Sequence, residues 1–146
     1  MKILLGIDDS AHSRAAIEFV RKTAWPTDTE VVVLSVVQPV TAVYSEIYVP
    51  AILPAEITED LVRAHHKLAS DAEQLLKSDQ LRLRSKVLQG DPRAAIVDAA
   101  HDEQADLVVV GSHGRTGLAK LFMGSVAQHV VTHAPCSVLV VKLQRK

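Results

Sequence analysis

Four short apolar runs place the strongest limits on how this chain of 146 residues can fold. Each has the length of a strand, is rich in Val, Leu and Ile, and shows no alternation of apolar and polar residues. Such runs are typical of parallel strands that are covered on both faces. They predict a sheet between layers of helices, with strands at Lys2 to Asp8, Glu30 to Val37, Asp106 to Gly111 and Ser137 to Lys142.

A fifth run, LRLRSKV from Leu81 to Val87, alternates apolar and basic residues instead. This alternation indicates a strand with one face in water. Its Arg and Lys side chains would discourage pairing with another molecule. We therefore expect this strand at an edge of the sheet.

Amphipathic helical patterns separate the strands. Ser10 and Asp91 are the predicted N-caps of the first and third helices, with Pro92 at the first position of the third. The fourth helix is predicted to begin at Ser125. Because parallel strands need such crossovers, the predicted fold is one doubly wound α/β domain over residues 1–146, with a five-stranded parallel sheet and helices on both faces.

The segment QPVTAVYSEIYVPAILP, residues 38–54, shows neither pattern and contains three prolines. Loops of this length are commonly functional or mobile. We expect a flexible loop at about 38–54, as a lid or as a surface for a partner.

Charge and composition argue against several classes of protein. Lys and Arg number 16 against 17 Asp and Glu, so the chain lacks the basic field that drives binding to nucleic acids or anionic membranes. No apolar stretch reaches the roughly 20 residues of a membrane span. The first residues do not resemble a secretory signal, and the single cysteine, Cys136, cannot form an intramolecular disulfide. We expect a soluble cytoplasmic protein with no nucleic-acid or membrane partner.

Glycines follow the fourth strand in the stretch GSHGRTGLAKLFMGS. Gly111, Gly114, Gly124 and Ser125 have the spacing G-x2-G-x9-G-S, which is neither a P-loop nor a dinucleotide fingerprint. Ligands of open parallel sheets bind beyond the carboxyl ends of the strands, and the free amides at a helix start attract phosphate. The pattern predicts a polyphosphate site. The structural alternative is an ordinary turn followed by a capping box of Ser125 and Gln128.

Together these motifs resemble the universal stress protein family over nearly the whole chain. The matching stretches are KILLGIDDS, LQGDPRAAIVDAA and ADLVVVGSHGRTGLAKLFMGSVAQHVVTHAPCSVLVVK. The resemblance implies the adenine nucleotide alpha-hydrolase-like fold with strand order 3-2-1-4-5, and the glycine spacing resembles that of the ATP-binding branch. It also implies a homodimer that pairs through the last strand, at about 137–142.

The site implied by the resemblance extends from adenosine, at the first two strand ends, to the phosphates at the last helix. Ala127 stands where the family often has a hydroxyl residue, which removes one contact. A Mg or Mn ion, where one accompanies the nucleotide, would be held mainly by the phosphates. The implied residues are Asp8 for adenosine, Val36 for adenine, Val110, Gly111 and Gly114 for ribose and phosphates, and Gly124, Ser125, Val126 and Ala127 for phosphates.

The resemblance predicts an ATP-binding universal stress protein that acts as a stress-response dimer with an unidentified protein partner. We recognise no general base or arginine finger, so we assign no catalytic residue and expect slow ATP hydrolysis at most. Two alternatives stay open. One is an enzyme of the ATP pyrophosphatase type, although its SGGxDS motif is missing where this chain reads GIDDS. The other is an interaction module that binds no nucleotide.

Histidines offer further candidates. His129 and His133 have the spacing of a zinc pair, but no third ligand is evident, so a structural role is favoured. His113, inside the glycine turn, is placed either to approach phosphate or to face solvent. His65 lies beside the apolar stripe of the second helix, where a structural role is expected.

Overall fold

The computed structural model describes residues 1–39, 41–44, 47–50, 55–115 and 123–143. Within these ranges, strands and helices alternate along most of the chain. The elements are β1 (Lys2–Ile7), α1 (Ala11–Lys22), β2 (Thr29–Val37), β3 (Thr41–Tyr44), β4 (Ile47–Pro50), α2 (Ala55–Leu76), β5 (Leu81–Gln89), α3 (Pro92–Asp102), β6 (Leu107–Gly111), α4 (Ser125–His133) and β7 (Ser137–Val141).

The main sheet has five parallel strands in the order β5-β2-β1-β6-β7. If only the strands of this sheet are numbered along the chain, β5 is the third, β6 the fourth and β7 the fifth. The order is then 3-2-1-4-5, as predicted. The alternating strand, β5, lies at an edge as predicted, and β7 forms the other edge. The helices α1 and α2 cover one face and α3 and α4 cover the other. The prediction of a doubly wound α/β fold is therefore confirmed.

Alternate residues of the central strands enter two separate cores, which explains why their sequences are apolar throughout. In β1, Ile3 and Leu5 pack beneath α1 and α2, while Leu4 packs beneath α3 and α4. All three side chains are fully buried, as is Val32 beside Leu4 on β2. A polar residue at any of these positions would be enclosed by apolar side chains, a placement that is unfavourable without a hydrogen-bond partner.

Basic side chains of β5 bind this edge strand to its neighbours. The Arg84 guanidinium contacts Glu30 of β2, with 2.7 Å between Nε and Oε1, and also contacts Glu103 at the end of α3. Lys86 Nζ lies 3.2 Å from the same Glu103 carboxylate. The hydrogen bonds from Arg84 lower the pKa of Glu103 to about 2. The alternation in this run thus reflects ion pairs along an edge as well as exposure to water.

Three of the predicted helix starts are observed. Ser10 caps α1 by accepting a hydrogen bond from the Ser13 amide, and Asp91 caps α3 with Pro92 as the first helical residue. The last helix begins at Ser125, as predicted. None of the helices in the described ranges is long and apolar enough to cross a bilayer.

The expectation of a loop throughout residues 38–54 is wrong for two short stretches. Strands β3 and β4 pair antiparallel with each other in a separate two-stranded sheet. Their sequences, TAVY and IYVP, are rich in β-branched and aromatic residues that favour strands, and Pro50 stands at the last strand position, where a missing amide is tolerated. The three prolines of the segment favour a loop, so the sequence did not predict these two strands. Residues 40, 45–46 and 51–54 lie outside the described residues, so flexibility there stays a prediction.

Candidate functional site

Direct contacts join the end of β1, the turn after β6 and the start of α4. A methyl group placed on Gly114 would lie 2.9 Å from Oδ2 of Asp8. One placed on Gly124 would lie 3.2 Å from the Ser112 carbonyl oxygen and 3.1 Å from Cα of His113. The Gly124 amide donates a hydrogen bond to that same Ser112 oxygen at 2.7 Å. The glycines thus allow three chain segments, distant in sequence, to form one surface.

Gly111 allows a second close approach of the backbone, between the end of β6 and the first turn of α1. A methyl group at this position would lie 2.7 Å from the carbonyl carbon of His12 and 2.8 Å from its oxygen. The His12 ring contacts the His113 ring at a centroid distance of 5.0 Å. A cleft of about 290 Å³ lies beside this contact, and its lining residues are Asp9, Ser10, Ala11, His12, Gly114 and Arg115.

The Asp8 carboxylate is held in a fixed orientation. Its Oδ1 accepts a hydrogen bond from the Ser10 amide at 2.9 Å, while the Asp8 amide donates to the Ser13 hydroxyl at 3.0 Å. Its Oδ2 faces the glycine turn at Gly114. One carboxylate oxygen therefore shapes the start of α1, and the other is directed to the surface described above.

The first turn of α4 offers amides that the helix itself does not use. Gly124 has an extended backbone, and the first hydrogen bond of the helix runs from the Gln128 amide to the Gly124 carbonyl at 2.9 Å. The amides of Ser125, Val126 and Ala127 consequently have no acceptor within the helix. They also lie at the positive end of the helix dipole. This arrangement favours an anion.

The alternative of a capping box at Ser125 and Gln128 is wrong, because Gly124 is the N-cap and Ser125 is the first helical residue. The hydrogen bond between the Gly124 amide and Ser112 holds this glycine against the turn, and the helix starts one residue earlier than it would with Ser125 as its cap. The same bond engages the Gly124 amide. Of the four residues expected to offer amides to phosphate, Ser125, Val126 and Ala127 are the ones whose amides have no backbone acceptor among the described residues.

Several predicted site residues are available through their backbone only. The side chains of Val110 and Ala127 are buried in the core beneath α3 and α4, and Val126 packs against the same core. A hydroxyl residue in place of Ala127 would have to direct its oxygen away from this core. The apolar character of these positions therefore serves packing, and for Val126 and Ala127 the groups left for a ligand are the amides in the first turn of α4.

Val36 lies at the same edge on the neighbouring strand. Ser35 of β2 pairs in register with Ile7 of β1, so Val36 and Asp8 are the next residues along two adjacent strands. The Ser35 hydroxyl in turn lies 2.7 Å from Nδ1 of His65 on α2. The expected structural role of His65 is thus observed as a hydrogen bond beside the site, which sequence spacing alone could not indicate because 30 residues separate the pair.

The other candidate histidines of the sequence, His113, His129 and His133, lie in the turn after β6 and along α4. The Nδ1 atom of His113 lies 3.1 Å from the Ser112 hydroxyl, within the turn after β6. His129 and His133 stack on one side of α4 with ring centroids 4.1 Å apart. Over the described ranges, no three His, Cys, Asp or Glu side chains are grouped to hold a metal ion.

Chemically, this surface has a carboxylate acceptor at one end and three amide donors at the other. The glycine turn between them lets these two ends approach each other closely. Such a surface suits a ligand with hydroxyl or amino donors on one side and an anionic group on the other. Residues 116–122, which join the two halves of the glycine motif, lie outside the described residues.

Sequence comparison bears on the same features. The pattern of the universal stress protein family matches residues 1–142. The chain belongs to this family. A universal stress protein of Methanocaldococcus jannaschii is 32% identical over 146 residues, which cover 99% of this chain and 84% of the relative.

Solved structures of family members share the fold. The universal stress protein UspA of Lactobacillus plantarum superposes with a TM-score of 0.72 at 25% identity, covering 97% of both chains. A family member from Arabidopsis thaliana with AMP bound gives a TM-score of 0.65 at 18% identity, covering 99% of this chain and 92% of the other. The predicted adenine nucleotide alpha-hydrolase-like fold is therefore confirmed.

Proposed function

We propose that this universal stress protein binds ATP at the carboxyl ends of β1, β2 and β6 and acts as a nucleotide-dependent regulator in a stress response. The observation that carries the proposal is the contact between the Asp8 carboxylate, the glycine turn and the start of α4. The AMP-bound family member supports an adenine nucleotide as the ligand class.

Each part of the nucleotide has a suitable group on this surface. Oδ2 of Asp8 would accept a hydrogen bond from adenosine, and the Val36 backbone at the next strand end would contact adenine. The amides of Ser125, Val126 and Ala127 would hold the phosphates. The glycine spacing G-x2-G-x9-G-S, which resembles that of the ATP-binding branch of the family, favours ATP over AMP. A Mg or Mn ion would be held mainly by the phosphates themselves.

Binding is favoured over turnover in this proposal. In a P-loop a lysine follows the last glycine and reaches the phosphates, whereas here Ser125 follows Gly124. We therefore expect slow hydrolysis at most. Rapid formation of AMP or ADP would instead favour an enzyme of the ATP pyrophosphatase type.

Thermal melting tests the proposal. ATP with Mg at about 100 times its dissociation constant should stabilise the protein by roughly 2.7 kcal/mol, which raises Tm by about 5 to 10 °C for a domain of this size. Before melting, the supernatant of denatured protein should be assayed for adenine absorbance, because nucleotide already bound would hide the shift. The absence of both a shift and released nucleotide would favour the interaction module.

We also propose that the protein is a cytoplasmic homodimer that pairs through β7 and presents its surface to a protein partner. The Ser112 amide donates to the Val141 carbonyl at 2.8 Å, so the Val141 peptide groups face β6. Because consecutive residues of a strand direct their peptide groups to opposite sides, the amide and carbonyl of Val140 face the open edge of the sheet. An open apolar edge is a site for pairing with a second copy.

Val140→Pro should convert this dimer to a monomer without unfolding it. Proline removes the Val140 amide, which faces the open edge, and edge strands tolerate proline. Val140→Ala is the matched control, because it shortens the same side chain but keeps the amide, and it should stay dimeric. Light scattering measures the mass of each. A dimeric Val140→Pro variant would contradict pairing through this edge.

A further inference from the structure

His65 of α2 borders the proposed ATP site without belonging to the residues assigned to it above. Its Nδ1 lies 2.7 Å from the hydroxyl of Ser35, which is fully buried and stands next to Val36. This hydrogen bond fixes the imidazole at the carboxyl ends of β1 and β2. Among the described residues, Nε2 of His65 has no hydrogen-bond partner.

The charged groups acting on His65 are those that flank the site. Burial lowers the pKa of His65, and Arg115, after β6, lowers it further, while Asp8 and Asp9 act in the opposite direction. Arg115 is itself partly offset by Asp9, since 3.7 Å separates its Nε from Oδ1 of Asp9. In the free protein the ring is therefore mostly neutral at neutral pH. Phosphates at this edge of the sheet would add negative charge and favour the protonated ring.

We propose, on the basis of the ATP site inferred above, that His65 is a further nucleotide-binding residue and that its imidazole takes up a proton from solvent when the nucleotide binds. In the cationic ring both nitrogens are donors. Nδ1–H then donates to the Ser35 hydroxyl oxygen, and Nε2–H is left to donate to the nucleotide. Ser35 thus acts as a positioning residue for His65.

The sign of the pH dependence follows from this proton uptake. The complex holds more protons than the free protein plus free nucleotide, so the affinity contributed by His65 increases as the pH falls. The contribution of His65 to the affinity should be largest at pH 6, where its ring is charged in the complex. It should be nearly absent at pH 8, where the ring is neutral in both the free protein and the complex.

Calorimetry with ATP, performed in two buffers of different ionisation enthalpy, measures the proton uptake directly. At pH 6.5 the native protein should take up about half a proton more per bound ATP than His65→Gln does. At pH 6 it should bind ATP about threefold to tenfold more tightly than the variant, with the ratio near one at pH 8.

His66→Gln is the matched control, because His66 is the next residue on α2, is exposed, and should behave as the native protein does. Proton uptake or release by ATP itself and by protein groups other than the substituted histidine is common to all three proteins and cancels in the comparison. If circular dichroism shows that His65→Gln is unfolded, His65→Asn replaces it, because asparagine also keeps a hydrogen-bonding group near Ser35. The expected proton uptake and affinity are the same for both variants.

Three outcomes are distinct. Loss of the extra proton uptake in the His65 variant but not in the His66 variant supports the proposal. Normal ATP binding with equal proton uptake in all proteins would overturn the role of His65 and leave the ATP site intact. Failure of the native protein to bind ATP would overturn both.

Discussion

Ser125→Pro should lower the affinity for ATP by about tenfold to a hundredfold while leaving the Tm of the free protein nearly unchanged. Hydrogen bonds to charged groups contribute about 1.5 to 3 kcal/mol, and each 1.4 kcal/mol is a factor of about ten in affinity. Proline removes the Ser125 amide, one of the three proposed phosphate donors, and the serine hydroxyl with it. Titration calorimetry with Mg-ATP measures the loss.

The fold should accept this substitution for two reasons. Proline is well tolerated at the first position of a helix, where the amide has no partner within the helix, and Ser125 is that residue. The residue before a proline must be extended, and Gly124 already has φ −71° and ψ 156°. The change therefore acts on the ligand rather than on the helix.

Ser125→Ala is the matched control, because it removes the hydroxyl but keeps the amide. Since Gly124 and not Ser125 caps α4, this variant should lose no capping energy and only a small part of the affinity. Native affinity in the proline variant would show that the phosphates do not bind at the start of α4. Gly124→Val would be a poorer test, because its side chain would meet Ser112 and His113 and disturb the turn itself.

Much of the fold could be predicted from the sequence because its main signals are local. Uninterrupted apolar runs reflect the two cores on either side of β1, β2 and β6, and the alternation in β5 reflects its edge position and its ion pairs. The hairpin of β3 and β4 was missed because prolines in the same segment argued for a loop. Pro50 is compatible with a strand there because it occupies the final strand position.

The site was less predictable because its details depend on contacts between distant segments. The glycine spacing located the turn and the start of α4, but not the hydrogen bond from Gly124 to Ser112 that fixes which residue is the cap. The pairing of His65 with Ser35 likewise depends on how α2 crosses the sheet. Helix periodicity shows which side of α2 is apolar, but not which strand residue a polar group on its border will meet.

Gly111→Ala should destabilise the protein by about 1 to 3 kcal/mol, lowering Tm by about 3 to 12 °C, and should also weaken ATP binding. The new methyl group would lie 2.7 Å from the carbonyl carbon of His12, and these are backbone atoms in the first turn of α1 that cannot rotate away. Either β6 or α1 must shift. The shift would displace Asp8 and Ser10 relative to the glycine turn. Thermal melting of the free protein and calorimetry with ATP measure the two effects.

Gly6→Ala is the matched control, because its new methyl group would crowd side-chain atoms rather than the backbone of α1. A methyl group on Gly6 would lie 3.1 Å from Cγ1 of Val110 and 3.3 Å from Cδ1 of Ile96, and both are side-chain atoms. Ile96 can adjust its rotamer, so the loss of stability should be smaller and ATP affinity close to native. Equal losses of stability and affinity in the two variants would mean that general crowding of the sheet explains both. A larger effect at Gly111 would identify the approach of α1 to β6 as the contact that positions Asp8 for the ligand.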